Sequence, residues 1–367
     1  MWRLVFLVLP LAGITYSFWR TWHILPLPQA YKWIVLAVLG FCVFLLFANF
    51  GFFHIDRWPM PLATASYEVG NSSLFVMLYA VLLYLALDLG RLVHLVPSNF
   101  LHDSWRGTLT VAGALVVVFA YGYVHYMNKV RVPLELHTAK ATPEARTIVM
   151  LSDLHIGYHN QRPELARWVD LVNAEHPDLV LIGGDIIDGH MRPLWEQGMA
   201  QEFRRIQAPV VACLGNHEYF GGEREAEAFY REAGITLLRD RAVTVKGINI
   251  IGRDDRTNAH RKPLVQLMLG VDRSRYTILL DHQPYHLEEA QQAGVDFQLS
   301  GHTHYGQLWP VSWIVDLIYE KAYGGLQKGH TQYYVTSGIG IWGGKFRVGT
   351  QSEYVVARLQ KGAQDAD

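Results

Sequence analysis

Cysteine is almost missing from this chain. Cys42 and Cys213 are the only two among 367 residues, one in an apolar run and one in a strand-like run, so neither a disulfide framework nor a thiolate metal site can be built. A basic excess is missing as well. With 32 Lys plus Arg against 33 Asp plus Glu the net charge is −1, which disfavours a nucleic-acid partner. No internal repeat and no low-complexity tract is found. Charge is scarcest in the first third: ten charged residues lie up to Asn128, against 55 in the remaining 239. A soluble domain carries about 25% charged residues, so the first third is not an ordinary soluble domain.

What lies between those few charges is apolar. The gaps run from Leu4 to Trp19, Trp33 to Ile55, Val69 to Leu87 and Gly107 to Asn128. The last three reach the roughly 18 residues that suggest a membrane-crossing helix, and Leu36 to Phe53 has no polar face at a 3.6-residue period that a soluble bundle would need. The first gap is shorter and holds Pro10, but no small-residue cleavage pattern follows it, so it reads as a first span rather than a signal peptide. A four-helix transmembrane region over residues 1–128 is therefore expected, making the chain a multi-pass membrane protein with the lipid bilayer as a partner. Trp19, Trp22, Tyr31, Trp33, Trp58 and Trp105 sit near the span ends, where amphipathic rings favour the headgroup region. Asp88 and Arg91, one turn apart, are expected to neutralise each other. Four spans place both termini on one face, with Arg3, Arg57, Lys129, Arg131 and Lys140 there against Arg20, Lys32, Arg91 and Arg106 opposite. Five to four leans towards a cytoplasmic catalytic domain.

Residues 129–146 turn polar, with Pro133 and Pro143, and read as a linker; residues 361–367 read as a polar tail. Between them, short apolar runs at Thr147 to Leu151, Leu179 to Ile182, Val210 to Leu214, Thr277 to Leu280 and Phe297 to Leu299 alternate with helix-like stretches at Pro163 to Asn173, Glu223 to Glu232 and Tyr285 to Ala293. That alternation predicts a layered α/β domain, closed by late strands at Tyr333 to Thr336 and Glu353 to Leu359.

The same chemistry recurs where those strands end. Asp153 and His155 follow the first, Asp185 the second, Asn216 and His217 the third, His282 the fourth, and His302 and His304 the fifth. On an extended segment, side chains two apart point the same way, so Asp153 with His155 and His302 with His304 can each converge. One such cluster is weak; five in one α/β domain predict a metal site.

Taken together these blocks resemble the calcineurin-like metallophosphoesterases, in the order Asp153-Leu-His155, Gly184-Asp185-Ile-Ile-Asp188, Gly215-Asn216-His217-Glu218, His282, and Gly301-His302-Thr303-His304. The likeness runs from about Thr147 to Leu359 and leaves out the apolar third. It implies an αββα metallophosphoesterase sandwich over 147–360. It also implies one divalent ion held by Asp153, His155, Asp185 and His304, and a second held by Asp185, Asn216, His282 and His302. A carboxylate has two oxygens to share whereas a neutral imidazole offers one nitrogen, which agrees with Asp185 as the bridge. Oxygen and nitrogen donors without thiolate suit Mn, Fe or Zn. His217 is implied to contact the phosphate and protonate the leaving group, with an orienting role as its alternative. Asp188, Glu218 and Asp281 are expected to orient neighbours by hydrogen bonds. Arg253 and Arg256 stand either as phosphate contacts or as a loop with internal salt bridges. Tyr305 stands where the membrane-associated branch usually has glycine. The apolar run from Leu308 to Ile318, around Trp309 and Trp313, either dips into the lipid interface or packs internally.

The function expected from this reading is a membrane-anchored binuclear phosphoesterase in which metal-activated water hydrolyses a phospholipid or lipid-linked substrate. The alternatives are an anchored phosphatase or phosphodiesterase of soluble nucleotides or phosphoproteins and, in a different class, a non-catalytic membrane sensor or transporter.

Overall fold

Long uncharged sequence gives long helix here, the form in which hydrogen bonds within the segment satisfy the backbone without water. The computed structural model describes residues 2–49, 54–140 and 145–362. Its first four helices are α1 (Trp2–Ile24), α2 (Gln29–Phe47), α3 (Met60–Leu92) and α4 (Trp105–Met127). Among the described residues three of these, α2, α3 and α4, are long and apolar enough to cross a membrane. The expected four spans are thus corrected to three. α1 is helical over the first gap, but its described side chains interrupt the apolar run with Pro10, Thr15, Ser17 and Arg20. With three spans, the parity argument for the membrane face lapses. Residues 50–53, inside the second expected span, and 363–367, in the expected tail, lie outside the described residues.

Residues 1–124 and 343–345 make up one compact unit. Its apolar side chains face outward as well as inward: Val116 and Val117 on α4 are each 68% exposed, the pattern of a helix solvated by lipid rather than water. Asp88 binds Arg91 at 3.3 Å, as expected from sequence, and also Arg20 and the Tyr16 hydroxyl. Opposite charges paired this way lower the cost of placing them at membrane depth.

The second unit, residues 125–342 and 346–367, is built on two six-stranded sheets. Across the first run β1 (Lys129–Thr138), β12 (Ser352–Lys361), β2 (Arg146–Leu151), β3 (Leu179–Ile182), β4 (Val210–Ala212) and β5 (Thr236–Leu237). Across the second run β10 (Gly324–Lys328), β11 (Thr331–Val335), β9 (Phe297–Ser300), β8 (Thr277–Leu280), β7 (Ile248–Gly252) and β6 (Arg241–Val245). Pairing in both is mixed. β2, β3 and β4 are mutually parallel, as are β7, β8 and β9, while β12 is antiparallel to β2.

Alternation along each strand sorts its side chains between two cores. Ile148, Met150, Leu179, Leu181, Ile278, Leu280, Phe297 and Leu299 fill the space between the sheets. Val149, Leu151, Val180 and Ile182 point the other way, onto α5 (Arg162–Ala174) and the helix Glu223–Glu232. Ile251 and Leu279 do the same for the helix Leu287–Ala293 on the far side. Strands covered on both faces read as unbroken apolar runs, which is why the sequence displays them so clearly. α5 shows the helical counterpart: Leu165, Trp168, Val169 and Val172 recur at helical spacing and are buried. The result is the expected α/β fold with mixed sheets and helices outside.

One boundary is corrected. The stretch read as a linker contains β1, paired with β12 over all ten residues. Its period-2 pattern of Val130, Val132, Leu134 and Leu136 was masked by intervening charges and by Pro133. Proline is tolerated there because β1 is an edge strand, where a missing N–H breaks no ladder between two neighbours.

Candidate metal centre

Every expected donor follows the carboxyl end of a parallel strand: Asp153 and His155 after β2, Asp185 after β3, Asn216 after β4, His282 after β8, and His302 and His304 after β9. The two sheets deliver them to one place. Asp153, His155 and His304 offer atoms all within 4.8 Å of one another, and so do Asp185, His282 and His302, and His155, Asp185 and His217. Asp185 is common to two of the groups. Asn216 joins through its Oδ1, 2.8 Å from His302 Nδ1.

Convergence is not achieved by extended backbone, as the spacing of the Asp-x-His and His-x-His pairs suggested. Asp153, His155, Asp185, His302 and His304 all sit in the left-handed region, with φ of 56°, 46°, 50°, 69° and 47°. Each such residue costs of order 1–3 kcal/mol and persists where the surroundings over-determine it. The adjoining glycines show how tight those surroundings are. At Gly184 (φ +93°) a Cβ would stand 2.7 Å from His282 Nδ1, and at Gly301 it would collide with the Asp153 carboxylate.

The donor set fits a metal better than it fits itself. His155 Nε2 and His304 Nε2 are 3.0 Å apart, His304 Nε2 lies 3.4 Å from Asp153 Oδ1, and His282 Nε2 lies 3.0 Å from Asp185 Oδ2. Donors about 2.1 Å from a shared cation at octahedral or tetrahedral angles stand about 3.0–3.4 Å apart. His282 Nε2 is buried and, although close to Asp185, has no hydrogen-bond geometry to any partner. The far side of each ring explains the orientation. His155 Nδ1 donates to Asp188 Oδ1 at 3.0 Å, and His282 Nδ1 donates to the Gly183 carbonyl at 2.7 Å. Both rings therefore turn Nε2 towards the other donors, the orientation that surrounding shells impose on metal-ligating histidines.

Comparison with known proteins agrees. The calcineurin-like phosphoesterase family profile matches residues 146–306. An uncharacterized metallophosphoesterase of Aquifex aeolicus is 32% identical over 225 residues, covering 58% of this chain and 84% of that protein. This chain belongs to the calcineurin-like phosphoesterase family. An uncharacterized metallophosphoesterase of Helicobacter pylori is 33% identical over 219 residues, 58% of this chain; the match spans 59% of the length of that relative. A Danio rerio relative described as a transmembrane protein with metallophosphoesterase domain is 27% identical over 329 residues, covering 82% of this chain and 74% of that protein.

Electrostatics at the site follow from the same geometry. Burial opposes charge on His155, yet hydrogen bonds to Asp153 and Asp188 outweigh it and raise the imidazole to about 10. His282 is raised by the Asp185 carboxylate against its own burial. Burial also works against Asp153 and Asp185, but neighbouring imidazoles hold both carboxyls below the usual range. His302 goes the other way, lowered to about 4 by burial and by the nearby His282.

The supporting carboxylates are where the sequence suggested. Glu218 accepts from three backbone N–H groups, Asp185 at 3.2 Å, Ile187 at 3.0 Å and Gly215 at 2.7 Å, tying the β3 and β4 loops together. Asp281 is held by Arg253 at 3.2 Å and Arg261 at 3.0 Å. Arg253 is thereby committed to internal salt bridges, whereas Arg256 is exposed. Sequence reasoning missed His159, whose Nδ1 lies 3.5 Å from Asp188 Oδ2 and whose Nε2 contacts the Ile341 carbonyl at 2.7 Å. It also missed Arg347. This fully buried guanidinium donates to the carbonyls of His304, Ser337, Gly338 and Gly340 at 2.5–3.4 Å and to Ser352 Oγ at 3.2 Å. Nothing in a lone arginine near Gly343 and Gly344 announces such a clamp; the signal available is the glycine-rich run from Gly338 to Gly349.

Proposed function

We propose that this phosphoesterase is a membrane-anchored hydrolase that holds two divalent cations and cleaves a phosphoester, with a phospholipid or lipid-linked phosphate as substrate. The observation that supports it most is that Asp185 converges with His155 in one group of donors and with His282 and His302 in another. Asp153, His155, Asp185 and His304 would hold one cation, and Asp185, Asn216, His282 and His302 the other. Two divalent cations, when bound, lower the pKa of water and offset negative charge on phosphate oxygens.

The chain's own residues supply the rest. Asp188 and the Gly183 carbonyl fix the rings of His155 and His282, and Glu218 fixes the loop backbone that presents Asp185. His217 is held at both ends: its backbone N–H donates to Asp185 Oδ1 at 2.9 Å, and its Nδ1 donates to the Asp188 carbonyl at 3.0 Å. A carbonyl only accepts, so Nδ1 carries hydrogen; the imidazolium form carries a second proton on Nε2, which it hands to the departing oxygen and regains from solvent. Water's oxygen bonds to phosphorus as the ester P–O bond breaks; the leaving group takes the His217 proton, and the proton shed by water passes to solvent. Lipid is favoured because three apolar helices tether the site to a bilayer, where headgroups stand at high effective concentration.

The test is to purify the full chain, reload it with Mn, Zn or Fe, count metals and assay an aryl phosphate ester. Two metals per chain with turnover that Asp185→Ala abolishes are expected. Two metals with no hydrolysis of any phosphoester would refute the catalytic assignment. Faster turnover of nucleotides than of detergent-dispersed lipids would refute the substrate class.

A further inference from the structure

The short helix Val311–Ile318 turns its apolar side to solvent. Trp313, Ile314, Leu317 and Ile318 are 61%, 54%, 88% and 55% exposed, while the residue it buries is Ser312. At about 100° per residue these four occupy one arc of about 140°. A water-soluble helix usually shows the reverse pattern, with its apolar stripe against a core. The Trp309 ring packs edge-on against Trp313 at 5.4 Å and extends the same surface.

This helix is fastened to the metal centre at both ends. Upstream it follows the single turn His304–Gly306, and the Tyr305 hydroxyl donates to Asp316 Oδ2 at 3.2 Å, occupying the helix's one acid. Downstream, the Tyr319 ring stands 6.3 Å from the His302 ring and 4.8 Å from that of Tyr285. Over the Tyr285 ring lies the guanidinium of Arg256 at 3.9 Å, on an exposed side chain. The rim of the site thus combines an apolar ridge, two tryptophans and an exposed cation.

Resting on the phosphoesterase reading, we propose that this ridge docks on an anionic phospholipid bilayer and sets the mouth of the metal centre against the headgroups. Each part matches one layer of that surface. Leu317, Ile314 and Ile318 suit the acyl boundary, Trp309 and Trp313 the headgroup level that indoles favour, and Arg256 the phosphates of anionic lipid. A bilayer is the occupant because the same chain carries α2, α3 and α4, each long and apolar enough to cross one.

The test uses the full chain in nanodiscs of phosphatidylcholine doped with phosphatidylserine. In a Cys42→Ser background, with Cys213 buried and unreactive, an environment-sensitive fluorophore is placed at Leu317→Cys and, as control, at Leu269→Cys, a residue 78% exposed. Blue-shifted emission quenched by lipids with brominated acyl chains is expected at 317 and not at 269. In parallel, Ile314→Ser with Leu317→Ser should lower hydrolysis of a phosphatidate in the disc by at least about tenfold, the factor for one leucine transferred out of water, and leave hydrolysis of a soluble aryl phosphate unchanged. Water-like emission at 317, burial without lipid quenching as a second copy of the chain would give, or an unchanged ratio of the two activities would overturn the proposal. Absence of aryl phosphate hydrolysis in the unaltered chain would refute the phosphoesterase reading instead, and the label would still report docking.

Discussion

If the buried imidazoles of the ion-free site hold protons in place of cations, metal affinity must depend on pH well above neutrality. His155 is raised to about 10, so near pH 7 its ring is protonated in the ion-free chain, and a cation needing that nitrogen must displace the proton. Apparent affinity should then rise about tenfold per pH unit. From about pH 6.5 to about pH 9 this amounts to about 300-fold, whereas an ordinary imidazole near 6.5 would give a plateau above about pH 7. The sign for stability is opposite. A raised imidazole stabilises the ion-free fold fully below about pH 6.5, and that contribution is lost as pH climbs through about 10; the shift corresponds to an upper bound of about 5 kcal/mol. Titration calorimetry in buffers of different ionisation heat would measure both the affinity and the protons released, with about one proton expected at pH 7.5 for the ion that takes His155. Denaturant unfolding of chelated protein should show lower stability at pH 9 than at pH 6.5, reversed by metal. A plateau above pH 7 with no proton released would refute the reasoning.

Other substitutions separate the roles within the site. Asp185→Asn keeps the shape but removes the charge facing His155 and His282, so metal content should fall below two per chain by elemental analysis and turnover should drop at least about 1,000-fold, as when a shared electrostatic element is lost. His217→Asn should keep both metals yet lower kcat by about 100- to 10,000-fold, with the deficit shrinking for substrates whose leaving groups need no proton; an equal deficit for all leaving groups would remove its acid role. Arg347→Met leaves the carbonyls of His304 and Gly338 with their backbone donors Gln307 and Glu353 but takes the guanidinium from those of Ser337 and Gly340, at about 1–3 kcal/mol for each buried group left unsatisfied, so unfolding should shift to lower denaturant even with metal bound. Glu218→Ala, which frees three backbone N–H groups in the dry interior, should weaken metal binding more than it changes the KM of the fraction that stays loaded.

Much of this molecule could be read in its residues because two physical signals were strong. Strands buried on both faces leave unbroken runs such as Leu179–Ile182, and five strand ends bearing Asp, Asn or His point to one chemistry. Weaker signals failed for identifiable reasons. β1 alternates correctly, but charges and Pro133 disguise an edge strand whose partner is more than 200 residues away. The left-handed turns at Asp153 and His302 cannot be inferred from composition, since non-glycine residues rarely adopt them. Arg347 acts through main-chain oxygens, and no pattern of side chains records which carbonyls will crowd one buried cation. The first gap falls short of the length criterion and reads as a span because no cleavage pattern follows it, and the polar residues Ser17 and Arg20 on α1 argue against that reading.

The position of β12 has a consequence for how the second unit assembles. It lies between β1 and β2, parallel to one and antiparallel to the other, so the last-made strand is a wedge between the two earliest. Until Ser352–Lys361 leaves the ribosome, roughly 10–40 s after β2 at about 5–20 residues per second, β1 has no partner and the apolar flank of β2 stays open. The helices of the first third are complete long before that moment. Biogenesis must therefore shelter a half-made sheet after those helices are finished, and truncation anywhere before residue 352 should yield an aggregating chain rather than a smaller working one.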